Sequence, residues 1–277
     1  MPSPEIDLLT PSTKLPLYSK RIVITAPRNY ATRLSEQLVN KGGLPVLMPT
    51  IETCLLEDYT ELDSALKRIH EFHWIAFTSR NGIEAFSHRM DVLNVSTSKL
   101  EKCQLCAIGK DSERLSFLCG RVDLVPTESS PQGIVAELSK IPDIDGKKIL
   151  VPAPEVVGIP EPNVVPKFIS DLKQLGMNVT RVSTYTTRGL DKSSYGVELN
   201  LIRQGAIDAI AFSSTAEVKS FLSMVNSKSD YEDCVVACFG PYTAANAEKL
   251  GLKVSIVSKD YSSFEGFADA IAEYFIT

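Results

Sequence analysis

The chain carries one pattern twice, and that duplication limits what it can fold into. Ile75-Ala76-Phe77-Thr78-Ser79 recurs as Ile210-Ala211-Phe212-Ser213-Ser214. At the same offset, Ile83 and Phe86 match Val218 and Phe221. Further on, Ala107-Ile108-Gly109 corresponds to Cys238-Phe239-Gly240, and Gly120 to Gly251. Ser129-Ser130 with Gly133 then corresponds to Ser262-Ser263 with Gly266. Upstream, Ile22-Val23-Ile24-Thr25-Ala26-Pro27 resembles Ile149-Leu150-Val151-Pro152-Ala153-Pro154. Small drifts in offset are what loop insertions produce. A chain built this way folds as two versions of one unit.

Each copy alternates short apolar runs with amphipathic segments. RIVITA, HWIAFTS, CQLCAIG, RVDLVP and KKILVPA are nearly unbroken in apolar residues, as strands covered on both faces must be. Between them Ala31, Leu34 and Leu38 recur at helical spacing, as do Leu62, Ala65, Leu66 and Ile69. Phe168, Ile169, Leu172 and Leu175 repeat this in the second copy, with Gly176 as the stop. Strand–helix alternation of this kind predicts right-handed βαβ units. The expected fold is α/β: two similar three-layer α/β/α lobes with parallel sheets. Two extended, β-branched segments, 44–53 and 179–187, interrupt the rhythm and read as connections between lobes, placed to pair with each other.

A length of 277 residues exceeds one ordinary domain and agrees with two. A formal charge of −5 without a basic face argues against nucleic acid as partner. No apolar run reaches membrane-spanning length. The first residues, MPSPEIDLLTPSTKLPLYSK, lack a secretory core and are too acidic for a typical transit peptide, so they read as a flexible N-terminal arm over 1–17. Six cysteines without a secretory signal are expected as reduced, buried thiols inside the cell. Cys103 and Cys106 form a CxxC within a strand, where residues three apart face opposite ways and cannot grip one ion. His70 and His73 are expected on solvent.

Familiar catalytic signatures are missing: there is no phosphate loop, no dinucleotide fingerprint, no G-x-S-x-G elbow and no H-E-x-x-H. What stands out is the strand ends, where ligands of open α/β sheets bind. Thr78-Ser79-Arg80-Asn81, Ser213-Ser214-Thr215, Gly109-Lys110-Asp111-Ser112, Gly240-Pro241-Tyr242-Thr243, Ser129-Ser130 and Ser262-Ser263 all fall there. Taken singly, each reads first as a helix cap. Together, six helix N-termini make a surface suited to a small polyanion, with Arg28, Arg80 and Lys110 adding charge.

This doubled pattern resembles the uroporphyrinogen-III synthase family over about residues 20 to 275. The resemblance rests on Phe77-Thr78-Ser79 with Asn81-Gly82 and Phe86, on Val179-Thr180-Arg181-Val182 with Tyr185, and on Gly240-Pro241 with Thr243-Ala244. The stretch Val151–Gly158 with Glu161–Pro166 is similar to the version in photosynthetic lineages, which implies plastid stroma, with cytoplasm as the alternative. The resemblance implies one domain from 18–46 with 189–277, a second from 55–178, and linker strands 47–54 and 179–188. It implies a lyase that cyclises hydroxymethylbilane to uroporphyrinogen III with ring D inverted, without metal or organic cofactor. Tyr185 would be the acid. Arg28, Thr78, Ser79, Arg80, Gly109, Ser213, Ser214, Gly240 and Thr243 would contact substrate. A monomer fed by hydroxymethylbilane synthase is implied as well. The competing readings are a non-catalytic relative that binds a tetrapyrrole or a partner protein, and a bilobal sugar or nucleotide binder.

Overall fold

The structure is a computed structural model that describes residues 11–261 and 263–276. The chain divides into two compact units, residues 1–52 with 189–277 and residues 53–188. Residues 1–10, and with them most of the expected arm, lie outside the described residues, as does Ser262. By Leu17 the chain is already packed. That side chain is fully buried, and its backbone N–H donates to Lys41 O at 2.9 Å.

The first unit begins with β1 (Arg21–Ile24), α1 (Arg28–Asn40) and β2 (Leu44–Leu47). The chain then runs through the second unit, which it enters within β3 (Ile51–Cys54) and leaves at the end of β7 (Asn178–Gly189); between them lie α2 (Thr60–Lys67), β4 (Trp74–Phe77), α3 (Arg80–Val92), β5 (Gln104–Ala107), α4 (Asp111–Cys119), α5 (Pro131–Leu138), β6 (Lys148–Val157) and α6 (Val164–Gln174). It returns to complete the first unit with α7 (Gly196–Arg203), β8 (Ala209–Phe212), α8 (Thr215–Met224), β9 (Val235–Cys238), α9 (Pro241–Lys249), β10 (Val254–Val257) and α10 (Phe264–Ile276).

In the first unit the strands lie in the order β10-β9-β8-β1-β2, and every pairing is parallel. Both faces of that sheet are covered. Ile22, Ile24, Ala209 and Ala211 pack with Leu34, Leu38, Phe267 and Ile271 of α1 and α10. Val23, Ile210 and Phe212 face the other way, onto Ile202, Val218, Phe221 and Ala247 of α7, α8 and α9. Alternation along a strand is what sends neighbours such as Ile22 and Val23 to opposite layers.

The second sheet has the order β3-β7-β6-β4-β5, with β4–β5, β4–β6 and β6–β7 parallel. Ile75, Phe77 and Leu105 pack with Leu66, Phe86 and Leu115 on one side, while Trp74, Ala76 and Cys106 meet Ile134, Leu138 and Phe168 on the other. Each unit is therefore a three-layer α/β/α sandwich, as the repeat predicts. Phe77 with Phe86 and Phe212 with Phe221 repeat the same edge-to-face contact, at 5.3 and 5.4 Å between centroids.

Two expectations need amendment. The run RVDLVP forms no strand; it keeps a single bridge, Leu124 to Cys106. Its own charges explain this. The Asp123 carboxylate accepts the Leu105 N–H at 2.7 Å and pairs with Arg121, whose guanidinium also donates to Leu100 O. Side chains thus take the place of ladder bonds. The other amendment concerns β7. Besides lying next to β3, it pairs with β6 residue by residue from Asn178 to Arg188, with one register shift after Ser183.

Candidate active site at the strand ends

In the second unit, Trp74–Phe77 is entirely buried and the chain surfaces at Thr78 and Ser79, both half-buried. Ser79 adopts extended backbone and caps α3, its Oγ accepting the Gly82 N–H at 3.2 Å. The same Oγ lies 3.1 Å from the hydroxyl of Tyr185, which β7 delivers to this point with only 7% of its surface exposed. Two residues singled out from sequence therefore meet directly. Thr78 makes no side-chain hydrogen bond among the described residues. Arg80 opens α3, is largely exposed, and sits 3.7 Å from Glu84.

Beside it, at the end of β5, Gly109 takes a left-handed φ of 50°. Glycine is required there: a Cβ would come within 3.0 Å of Ser129 Oγ, and the backbone region itself disfavours one. Ser112 Oγ donates to Gly109 O at 2.6 Å and ties the turn to α4. Asp111 is the first residue of α4. Burial pushes its carboxyl up to about 6, against the opposing pull of the Arg80 charge and a hydrogen bond from the Arg80 backbone.

A folded-state value raised in this way means the fold retains a proton that the unfolded chain releases. The stabilisation is complete below about pH 4, the unfolded range for Asp, and is lost as pH rises through about 6. Asp111→Asn removes this source of pH dependence. Denaturant midpoints measured between about pH 4 and 7 should fall less steeply for the variant than for the wild type. Identical slopes would contradict the assignment.

In the first unit the equivalent strand end is organised differently. Ser214 caps α8, and its Oγ accepts the Glu217 N–H. Glu217 itself is 1% exposed. Its carboxyl lies against Ser213 Oγ, takes the Ser213 N–H at 2.8 Å, and is 3.0 Å from Ser214 Oγ and 2.9 Å from Thr25 Oγ1. Burial raises its pKa, opposed by those hydrogen bonds. Thr243, in the first turn of α9, is 8% exposed and donates to Ser213 O at 3.4 Å. Gly240 precedes that turn, and a Cβ there would strike the Tyr261 side chain at 2.9 Å. Arg28 begins α1 on the exposed surface, close enough to Tyr195 for its charge to oppose the upward push that burial gives that phenol.

Arg28, Ser213, Ser214, Gly240 and Thr243 thus stand at strand ends of the first unit. Thr78, Ser79, Arg80 and Gly109 stand at those of the second, and Tyr185 reaches Ser79 from within β7. Capping, the plainer reading of these serines, is also real: Ser79, Ser130 and Ser214 each accept an N-terminal amide, and Ser263 accepts that of Gly266. Sequence reasoning named Asp111 only as part of a strand-end turn and passed over Glu217. The signal for the second was present, because Ser214-Thr215-Ala216-Glu217 has the S-x-x-E spacing of a capping box.

A groove of about 560 Å³ between β10 and α10 contains none of the expected contact residues. Cys103 and Cys106 pack into clusters on opposite faces of their sheet, so they cannot close on one ion. Among the described residues, no three His, Cys, Asp or Glu side chains converge in a way that could hold a metal. No helix there is long and apolar enough to cross a membrane.

The profile of the family described as uroporphyrinogen-III synthase HemD matches residues 32–267. The chain belongs to that family. Uroporphyrinogen-III synthases are cyclising lyases of porphyrin biosynthesis. The chain is 24% identical to the uroporphyrinogen-III synthase of Synechococcus elongatus, over 94% of this chain and 97% of that protein. The chloroplastic uroporphyrinogen-III synthase of Oryza sativa is also 24% identical, over 91% of this chain and 80% of the relative. Against the porphyrin biosynthesis protein HemD of Ruminiclostridium josui, also 24% identical, the chain spans 49% of the relative's length. The crystal structure of a mutant uroporphyrinogen III synthase from Thermus thermophilus superposes with a TM-score of 0.69, at 17% identity, over 92% of this chain and 99% of that one. It shares the fold.

Proposed function

We propose that this protein is a uroporphyrinogen-III synthase acting as a hydro-lyase on hydroxymethylbilane. The observation that supports the reading is the contact of Tyr185 with Ser79 at a strand end, where ligands of such sheets bind. The phenol donates its proton to the hydroxyl on the ring A methylene carbon. The C–O bond breaks and water leaves, with an azafulvenium cation remaining. Ring D attacks that cation through its substituted carbon, and the spirocycle so formed rearranges to the macrocycle with ring D inverted. The proton released as the last pyrrole regains aromaticity returns to the phenolate. Burial of Tyr185 keeps bulk water from capturing the cation.

Arg28 and Arg80, with the strand-end turns at Gly109 and Gly240, are assigned to the substrate carboxylates and to holding one reactive conformer, which is largely a matter of orientation. Plastid stroma is the compartment we assign. The chloroplastic relative and the central segment at 151–166 support it. A monomer receiving its substrate from hydroxymethylbilane synthase completes the proposal.

The test couples purified protein to enzymatic generation of hydroxymethylbilane, then oxidises and separates the uroporphyrin isomers. Predominance of isomer III is the expected result. Isomer I alone, the product of unassisted closure, would mean a non-catalytic relative.

A further inference from the structure

Thr78-Ser79 and Ser213-Ser214 are counterparts in the repeat, and both pairs lead into a helix whose N-cap is serine. The residue three beyond the cap distinguishes them: Gly82 in α3, Glu217 in α8. At the end of β8 the hydrogens can be followed one by one. Thr25 Oγ1 lies 2.8 Å from Ala211 O and 2.9 Å from Glu217 Oε2, and it has one hydrogen to give. Ala211 O can only accept. Thr25 is the donor in both contacts and shares that hydrogen between the two oxygens. Oε2 still receives the Ser213 N–H at 2.8 Å, and Oε1 is left to accept both serine hydroxyls. With both hydroxyls donating to Oε1, Ser213 and Ser214 have no hydroxyl hydrogen left to offer a ligand, and Ser213 has no N–H to offer. Both residues are half-buried, and a hydroxyl oxygen whose hydrogen is committed has only lone pairs to offer.

We propose that Glu217 is a positioning residue that makes the β8 end an acceptor site, one that reads N–H groups of the substrate and not its carboxylates. At the β4 end no acid stands in the Glu217 position, the Thr78 hydroxyl is uncommitted among the described residues, and Arg80 supplies charge. The two copies have diverged in hydrogen-bond polarity. The inference rests on the proposed function for its substrate: a linear tetrapyrrole presents both carboxylates, which only accept, and pyrrole N–H groups, which only donate. It moves Ser213 and Ser214 from the carboxylates to the pyrroles.

Citrate serves as a carboxylate probe that needs no turnover. In a titration of isotope-labelled protein, backbone amides of Arg80–Gly82 and Lys110–Ser112 are expected to shift saturably, and those of Ser213–Glu217 to stay fixed. Saturable shifts of equal size at Ser213–Glu217 would overturn the proposal. Ser213→Ala should raise KM for hydroxymethylbilane about tenfold, the worth of one hydrogen bond, with kcat and citrate affinity unchanged. A parallel loss of citrate affinity would overturn it.

Glu217→Ala frees the serine hydrogens, so citrate shifts should appear at Ser213 and Ser214; their absence in a folded variant counts against the proposal. Should that variant not fold, Glu217→Gln retains an acceptor for the hydroxyls and should leave citrate affinity unchanged. If wild-type protein forms only isomer I, the enzymatic reading fails, while the citrate titration still decides the polarity of the β8 end.

Discussion

Tyr185→Phe is expected to lower kcat for isomer III formation by about a hundredfold, the lower range for loss of a positioned general acid. KM should change little, because the ring and its packing remain. The cost at Ser79 is small for a definite reason: Ser79 Oγ keeps the Gly82 N–H after the phenol oxygen is gone. Loss of the hydroxyl contact should therefore cost about 1 kcal/mol of stability. The measurement is steady-state production of isomer III beside a thermal melt. A variant with full kcat would remove Tyr185 from the chemistry, whereas one that loses activity only by unfolding would assign it to the core.

Phe221→Ala is expected to destabilise the protein by about 3–5 kcal/mol, the range for deleting a buried aromatic ring. Phe221 is fully buried and makes edge contacts with Phe212 on one side and Tyr231 on the other, both at 5.4 Å between centroids. Its removal leaves two rings without their partner in the layer beneath α8. Denaturant titration of both proteins measures the loss. Because α8 begins at Ser214, the damage should also reach the β8 strand end. A cost below about 1 kcal/mol would mean that the layer collapses around the gap far better than such cores usually do.

The parallel sheets were legible because strands covered on both faces must be apolar throughout, and Trp74–Phe77 and Ala209–Phe212 are. The same logic failed at RVDLVP, where Asp123 and Arg121 saturate the local backbone and no ladder forms. Its counterpart β10 has no such pair and is a strand. At the site, the hydroxyls of Ser79 and Ser214 could be placed from the repeat, since both copies put a cap at the same point. The approach of Tyr185 to Ser79 could not, because it depends on how far β7 runs beside β6. Nor could the inward turn of Ser213. That follows from a carboxyl four residues on whose burial is decided by Thr25, a residue from the opposite end of the chain.

The interleaved connectivity of the first unit has a consequence for synthesis. Its sheet has β1 in an interior position, flanked by β2 and β8. As the chain leaves the ribosome, β1 and β2 emerge early, yet Ile22, Val23 and Ile24 must wait for Ala209, Ile210 and Ala211. The whole second unit is made in the interval, with all its own strands in hand. It can therefore close first, while the nascent β1–α1–β2 segment holds an apolar strand with one open edge. Until the last third of the chain arrives, that edge is the molecule's point of exposure to aggregation and to chaperones.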